Sequence, residues 1–81
     1  MTRERLLAFI KQEIATETGK DIPAIGEDLK FHTLGLDSLS AVLILHNISQ
    51  EFDIELSPIV FWDYPTPALL ADHIAEQKQS A

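Results

Sequence analysis

Asp37, Ser38 and Leu39, preceded by Leu34-Gly35-Leu36, form the stretch of this 81-residue chain best placed to do chemistry. Ser38 stands where a long irregular segment gives way to a strongly apolar run. With Asp37 as N-cap, Ser38 takes the first helical position. Its hydroxyl then lies beside unpaired backbone N–H groups and the positive end of the helix dipole. The same physics makes helix N-termini sites for anions, so a phosphate-linked group on this oxygen is favoured. The Asp37 carboxylate would repel such a group, and is expected instead to hold the loop or to orient a modifying enzyme and its metal. Taken alone, an Asp-Ser pair does no more than cap a helix, as many do.

A nucleophilic role for Ser38 fits less well. No G-x-S-x-G elbow surrounds it, and a small helical chain offers little concave pocket for a substrate. A Ser38–His32 pair is conceivable but has no third member. His32, His46 and His73 share no metal-ligand spacing with nearby acids, so no metal site is expected. His46 reads as a core or boundary residue. Ser40, Ser49, Ser57 and Ser80 lack the loop-to-helix setting of Ser38.

Four helices are expected to position these residues. Leu6, Leu7, Ile10 and Ile14 recur at helical spacing with Phe9 flanking them, which predicts a helix over residues 3 to about 17, capped by Thr2 and ended at Gly19. Lys20 to Leu36 contains Pro23, Gly26 and Gly35 and keeps no period. A connection that long in a small domain is usually functional. Its Ile22, Ile25, Leu29, Phe31, Leu34 and Leu36 are expected to pin it to the core, with Gly35 allowing the tight approach to the next helix. Ser38 to Phe52 holds no Gly or Pro and predicts the second and most buried helix, with Leu39, Val42, Leu45 or His46, Ile48 and Phe52 facing inward. Ser57-Pro58 predicts a short third helix through about Trp62. Thr66-Pro67 predicts a fourth bearing Leu69, Leu70 and Ile74, with a frayed tail from Lys78. The fold class expected is all-α: a compact bundle of three main helices and one short one, in a single domain of residues 1–81.

Composition narrows the function classes. Thirteen acids against six Lys or Arg residues give a net charge of -7, so no basic footprint for nucleic acid exists. No membrane span is expected, because the apolar runs are short. With no Cys, disulfides and thiolate zinc sites are excluded. The N-terminal MTRERLLAFIKQE is unlike a secretory signal, which makes the cytoplasm the default location. The acidity is either plain solubility or a surface that steers basic partners.

FHTLGLDSLSAVLIL resembles the attachment segment of acyl carrier proteins of fatty acid and polyketide synthesis, and FDIELSP and FWDYPTPALLADHI resemble the later helices of polyketide-type carriers. The likeness spans nearly the whole chain, more weakly before about Asp28. It implies a non-catalytic carrier whose Ser38 receives 4′-phosphopantetheine from coenzyme A through a phosphopantetheinyl transferase. Acyl or ketide chains would then ride as thioesters between a loading enzyme (a fatty acyl-AMP ligase or acyltransferase) and a ketosynthase or other synthase domain. A monomer is expected, and the short termini lean toward a discrete protein.

The chain departs from bacterial fatty-acid carriers at Ser40, Leu43, Ser49 and Gln50, where those tend to be acidic, leaving Glu51 as the main charge on the second helix. Recognition residues expected on this reading are Asp37, Leu39, Val42, Leu43 and Trp62. Leu43 either packs inward or meets a partner. Phe61, Trp62 and Tyr64 are expected to close the core, although Trp62 could instead line a slot for cargo. Two alternatives stay open: a peptidyl or aminoacyl carrier, disfavoured by Leu-Asp-Ser-Leu, and an unmodified adaptor with the same fold.

Overall fold

Helical periodicity and strong local caps divide the chain as the residue pattern predicts. The computed structural model describes residues 2–80, and the side chains of 2–77. Among the described residues there are four α-helices and no strand: α1 (Arg3–Thr18), α2 (Ser38–Phe52), α3 (Val60–Asp63) and α4 (Pro67–Ser80), with a 3-10 turn at Ile22–Ala24. None of the helices is long and apolar enough to cross a membrane. The tail expected to fray from Lys78 continues instead as backbone helix to Ser80, the side chains of 78–80 lying outside the described residues.

Local chemistry accounts for the ends of α1 and α2. Thr2 Oγ1 accepts from the Arg5 N–H at 3.2 Å, and Gly19 takes the left-handed conformation that ends α1, donating to Ala15 O. Asp37 caps α2, and Asp53 closes it at φ 52° with its N–H on Ser49 O. The third helix begins later than Ser57-Pro58 suggests. Ser57 to Ile59 form a tight turn, with Val60 N–H on Ser57 O and Phe61 N–H on Pro58 O. The wider α spacing starts when Asp63 N–H reaches Ile59 O.

The core is Leu6, Leu7, Ile10 and Ile14 of α1 against Ile44, Leu45 and Ile48 of α2 and Leu70, Ala71, Ile74 and Ala75 of α4. Phe9 and Phe52 pack edge-to-face across α1 and α2 at 5.3 Å. Several expectations are corrected. Leu39 and Val42 are exposed and His46 points outward, so the inward stripe of α2 runs through Ile44, Leu45 and Ile48. α2 is therefore not the most buried helix. Its run is apolar on nearly every side, and α1 and α4 cover only one of them. Leu69 of α4 is exposed for the same reason, since Leu70, Ala71 and Ile74 already fill that face.

The long connection is pinned at Ile25, Phe31, Leu34 and Leu36, all buried, whereas Ile22 and Leu29 stay exposed. One backbone bond fastens it to the segment between α3 and α4, Phe31 N–H to Pro65 O at 3.0 Å, and a second to the first turn of α4, Ala68 N–H to Glu27 O at 2.9 Å. The Phe31 and Phe61 rings meet edge-to-face at 4.6 Å over the same seam.

Candidate functional site

Three local devices bring the chain to Ser38. Leu34 N–H turns back onto Lys30 O and Phe31 O, and Gly35 N–H onto His32 O, so residues 30–35 form a coiled turn. Gly35 then takes φ 95°, a left-handed conformation that a side chain resists. A Cβ at Gly35 would meet nothing within 4 Å, so the glycine answers a backbone need and not a shortage of space. Leu36 is buried and anchors the last step before the cap.

Asp37 then starts α2. Its Oδ1 accepts from the Ser40 N–H at 2.8 Å. That backbone bond, followed by the Ser40 hydroxyl, holds the Asp37 carboxyl below its ordinary value, so the group stays ionised and committed to the helix. Ser38 occupies the first position of α2, exposed, with no hydrogen bond from its hydroxyl to any described residue. His32 is near enough to line the same cleft but makes no hydrogen bond to Ser38.

That cleft, of about 590 Å³, opens beside Ser38 between the loop, the start of α2 and α3. Buried Phe31 and Leu36 line it together with half-buried Ala41, Phe61 and Pro65. Lys30, His32 and Trp62 line it from exposed positions. Trp62 is 79% exposed and does not close the core; Phe61 does so against Phe31, and Tyr64 stacks on His73 at 4.0 Å. The structure therefore brings Asp37, Ser38 and Trp62 to one place. Leu39 (80% exposed), Val42 and Leu43 continue outward from Ser38 along α2. Lys30 and the Phe31–Phe61 pair were not legible as site residues, because their meeting with Ser38 depends on the long-range loop-to-α3 seam. Among the described residues no group of three or more His, Asp or Glu converges as a metal site would.

The arrangement fits a phosphopantetheine ester. An exposed hydroxyl with no hydrogen bond to a described residue sits at a capped helix start, and the neighbouring Asp37 carboxylate is held by the backbone of the first turn. Residues 8–74 match the family model described as the phosphopantetheine attachment site. Among curated relatives, erythronolide synthase of Saccharopolyspora erythraea is 37% identical over 81 residues, covering 99% of this chain and 3% of the synthase. The mycoketide-CoA synthase of Mycobacterium tuberculosis is 41% identical over 70 residues, covering 85% of this chain and 2% of that protein. The chain thus spans only a few hundredths of the length of these relatives. Two solved structures are similar over most of their length. A free-standing peptidyl carrier protein from Acinetobacter baumannii aligns with a TM-score of 0.88 and 31% identity over 93% of this chain and 94% of that one. The HMG-ACPI domain of the CurA module from Lyngbya majuscula aligns at 0.86 and 30%, over 99% of this chain and 83% of that one. A helical bundle that presents one such serine, matched over most of its length by carriers, belongs to the acyl carrier protein family, whose prosthetic group is 4′-phosphopantetheine.

Proposed function

We propose that Ser38 is the residue that carries 4′-phosphopantetheine and that the chain presents acyl or ketide intermediates to the catalytic domains of a synthase. The observation that supports this most directly is the exposed Ser38 hydroxyl at the start of α2, which makes no hydrogen bond to any described residue. The bound group supplies a thiol on a flexible arm, on which an acyl chain is held as a reactive thioester at high effective concentration.

The chain's own residues hold the attachment point still. Asp37 fixes the first turn of α2, Gly35 turns the chain into it, and the Phe31–Pro65 bond keeps the loop against the core. On modification, Ser38 Oγ forms a bond to the phosphorus of coenzyme A nearest the pantetheine. The pyrophosphate linkage breaks, adenosine 3′,5′-bisphosphate leaves, and the hydroxyl proton passes to a base of the phosphopantetheinyl transferase. Among the described residues no base is hydrogen-bonded to Ser38, and in this reading catalysis belongs to the partners: that transferase, a fatty acyl-AMP ligase or acyltransferase for loading, and a ketosynthase or other synthase domain for extension. Asp37 and Trp62 beside Ser38, and Leu39, Val42 and Leu43 exposed further along α2, are its partner-contacting residues in this reading.

A peptidyl cargo is the second reading, favoured by the likeness to the Acinetobacter baumannii peptidyl carrier. Intact mass after incubation with coenzyme A, Mg²⁺ and a broad-specificity transferase, with Ser38→Ala alongside, tests the attachment. A gain of one phosphopantetheine in the native chain alone is expected. No gain in a folded chain overturns the reading and brings the unmodified adaptor forward. Loading the modified chain with fatty acids and amino acids through their ligases separates the two cargo classes.

A further inference from the structure

The cleft beside Ser38 does not share the acidity of the chain around it. Thirteen acids face six Lys or Arg residues in the sequence, yet the exposed ionisable groups lining this cleft include Lys30 and His32. Arg3 and Lys11 are in ion pairs with Asp72 and Glu27, whereas Lys30 is in no ion pair with any described residue. The single acid in the lining is Asp37, whose carboxylate is already taken up by the Ser40 N–H. Lys30 and His32 are also held in place. The backbone between them is tied by Phe31 N–H to Pro65 O, and their carbonyls accept from Leu34 and Gly35.

We propose that Lys30 as the cation, with the His32 ring beside it as a hydrogen-bond donor, forms a wall that holds an anionic group borne on Ser38 in this cleft. The proposal rests on Ser38 being the attachment residue. The anion has two possible sources: the phosphodiester at Ser38 Oγ itself, or a free carboxylate at the far end of a dicarboxylic acyl cargo.

Amine reactivity tests this. The chain is prepared in three forms, each verified by intact mass: unmodified, modified with the arm thiol capped by a neutral alkyl group, and modified with a dicarboxylic acyl thioester. A failure of attachment at Ser38 shows at that mass check, before any rate is read. Each form is treated with an amine-acetylating reagent, and acetylation of Lys30 and Lys20 is followed by peptide mapping. Lys30 is expected to react about threefold more slowly when the anion is present, the scale of an exposed ion pair. The protection is expected to vanish at about 0.5 M salt, to weaken in His32→Gln, and to leave Lys20 unchanged. Protection already present in the alkyl-capped form assigns the phosphodiester. Protection only in the thioester form assigns the cargo carboxylate. Equal Lys30 rates in all three forms, or protection indifferent to salt, overturn the proposal, and unchanged protection in His32→Gln removes His32 from the wall.

Discussion

The backbone N–H of Phe31 donates to the carbonyl of Pro65 at 3.0 Å, and this single bond ties the loop that delivers Ser38 to the segment that displays Trp62. The Phe31 ring, buried and edge-to-face with Phe61, covers the same seam from the core side. Ser38 and the exposed indole of Trp62 therefore flank one seam, although they lie on different helices. Phe31→Ala removes the ring and leaves a cavity, at a cost of about 3–5 kcal/mol. A small domain has little stability to spare. Urea unfolding measures the loss, and amide exchange is expected to rise first across residues 30–36.

Gly35 isolates a backbone effect. Its φ of 95° and the empty space around a built Cβ mean that Gly35→Ala meets no clash and is penalised only by conformation. Destabilisation of about 1–2 kcal/mol is expected, and a smaller one for Gly35→Asn, since Asn tolerates left-handed backbone better. Thermal unfolding of the two variants side by side checks the order.

The faces of α2 predict a sharp contrast. Ile44 is fully buried and Leu39 is 80% exposed, five residues apart on one helix. Ile44→Ala is expected to cost about 2–5 kcal/mol, and Leu39→Ala to stay within about 0.5 kcal/mol of the native chain. Chemical denaturation of both variants decides it; a large loss at Leu39 would contradict this phasing of the helix.

The same pair shows what the residues alone could disclose. The approach to Ser38 was legible because its causes are local: a glycine for a left-handed turn, an aspartate for a cap, a run without breakers. The phase of α2 was not, because SLSAVLILHNIS is apolar on almost every side and its period fits more than one inward stripe. Only the packing of α1 and α4 selects Ile44, Leu45 and Ile48 and leaves Leu39 and Val42 outside. The residues left Trp62 open between the core and a slot beside the second helix, and the structure takes the second for a related reason. An aromatic triplet announces burial, but Phe61 and Tyr64 satisfy it through Phe31 and His73, and the third ring is left over. The cleft is the least legible feature, since it joins residues 30–32, 36–41 and 61–65, which only the tertiary fold brings together.

Trp62 is the chain's single tryptophan and serves as its own probe. With 79% of its surface exposed, it is expected to emit as a solvated indole in the unmodified chain and to be quenched by acrylamide about as readily as the unfolded protein. Trp62→Ala is expected to leave stability within about 0.5 kcal/mol of the native chain. A blue-shifted, protected emission in the unmodified chain would contradict its placement outside the core.

Asp37 carries a pH signature. Its carboxyl is held below the ordinary value of 3.8, first by the Ser40 backbone N–H and then by the Ser40 hydroxyl. The folded chain therefore binds this proton less readily than the unfolded one, so the cap's contribution is fully present above the unfolded value and is lost as pH falls through the folded one. Native and Asp37→Ala melting temperatures are expected to differ most near neutral pH and to converge below about pH 4. Asp37→Asn keeps an acceptor for the Ser40 N–H without a titrating group. Its melting temperature is expected to lie between the other two near neutrality, with no contribution from this position to the acid slope. Parallel curves for native and Asp37→Ala down to acid would mean that the cap bond does not form in solution, and the rigid start of α2 that presents Ser38 would lose its physical basis.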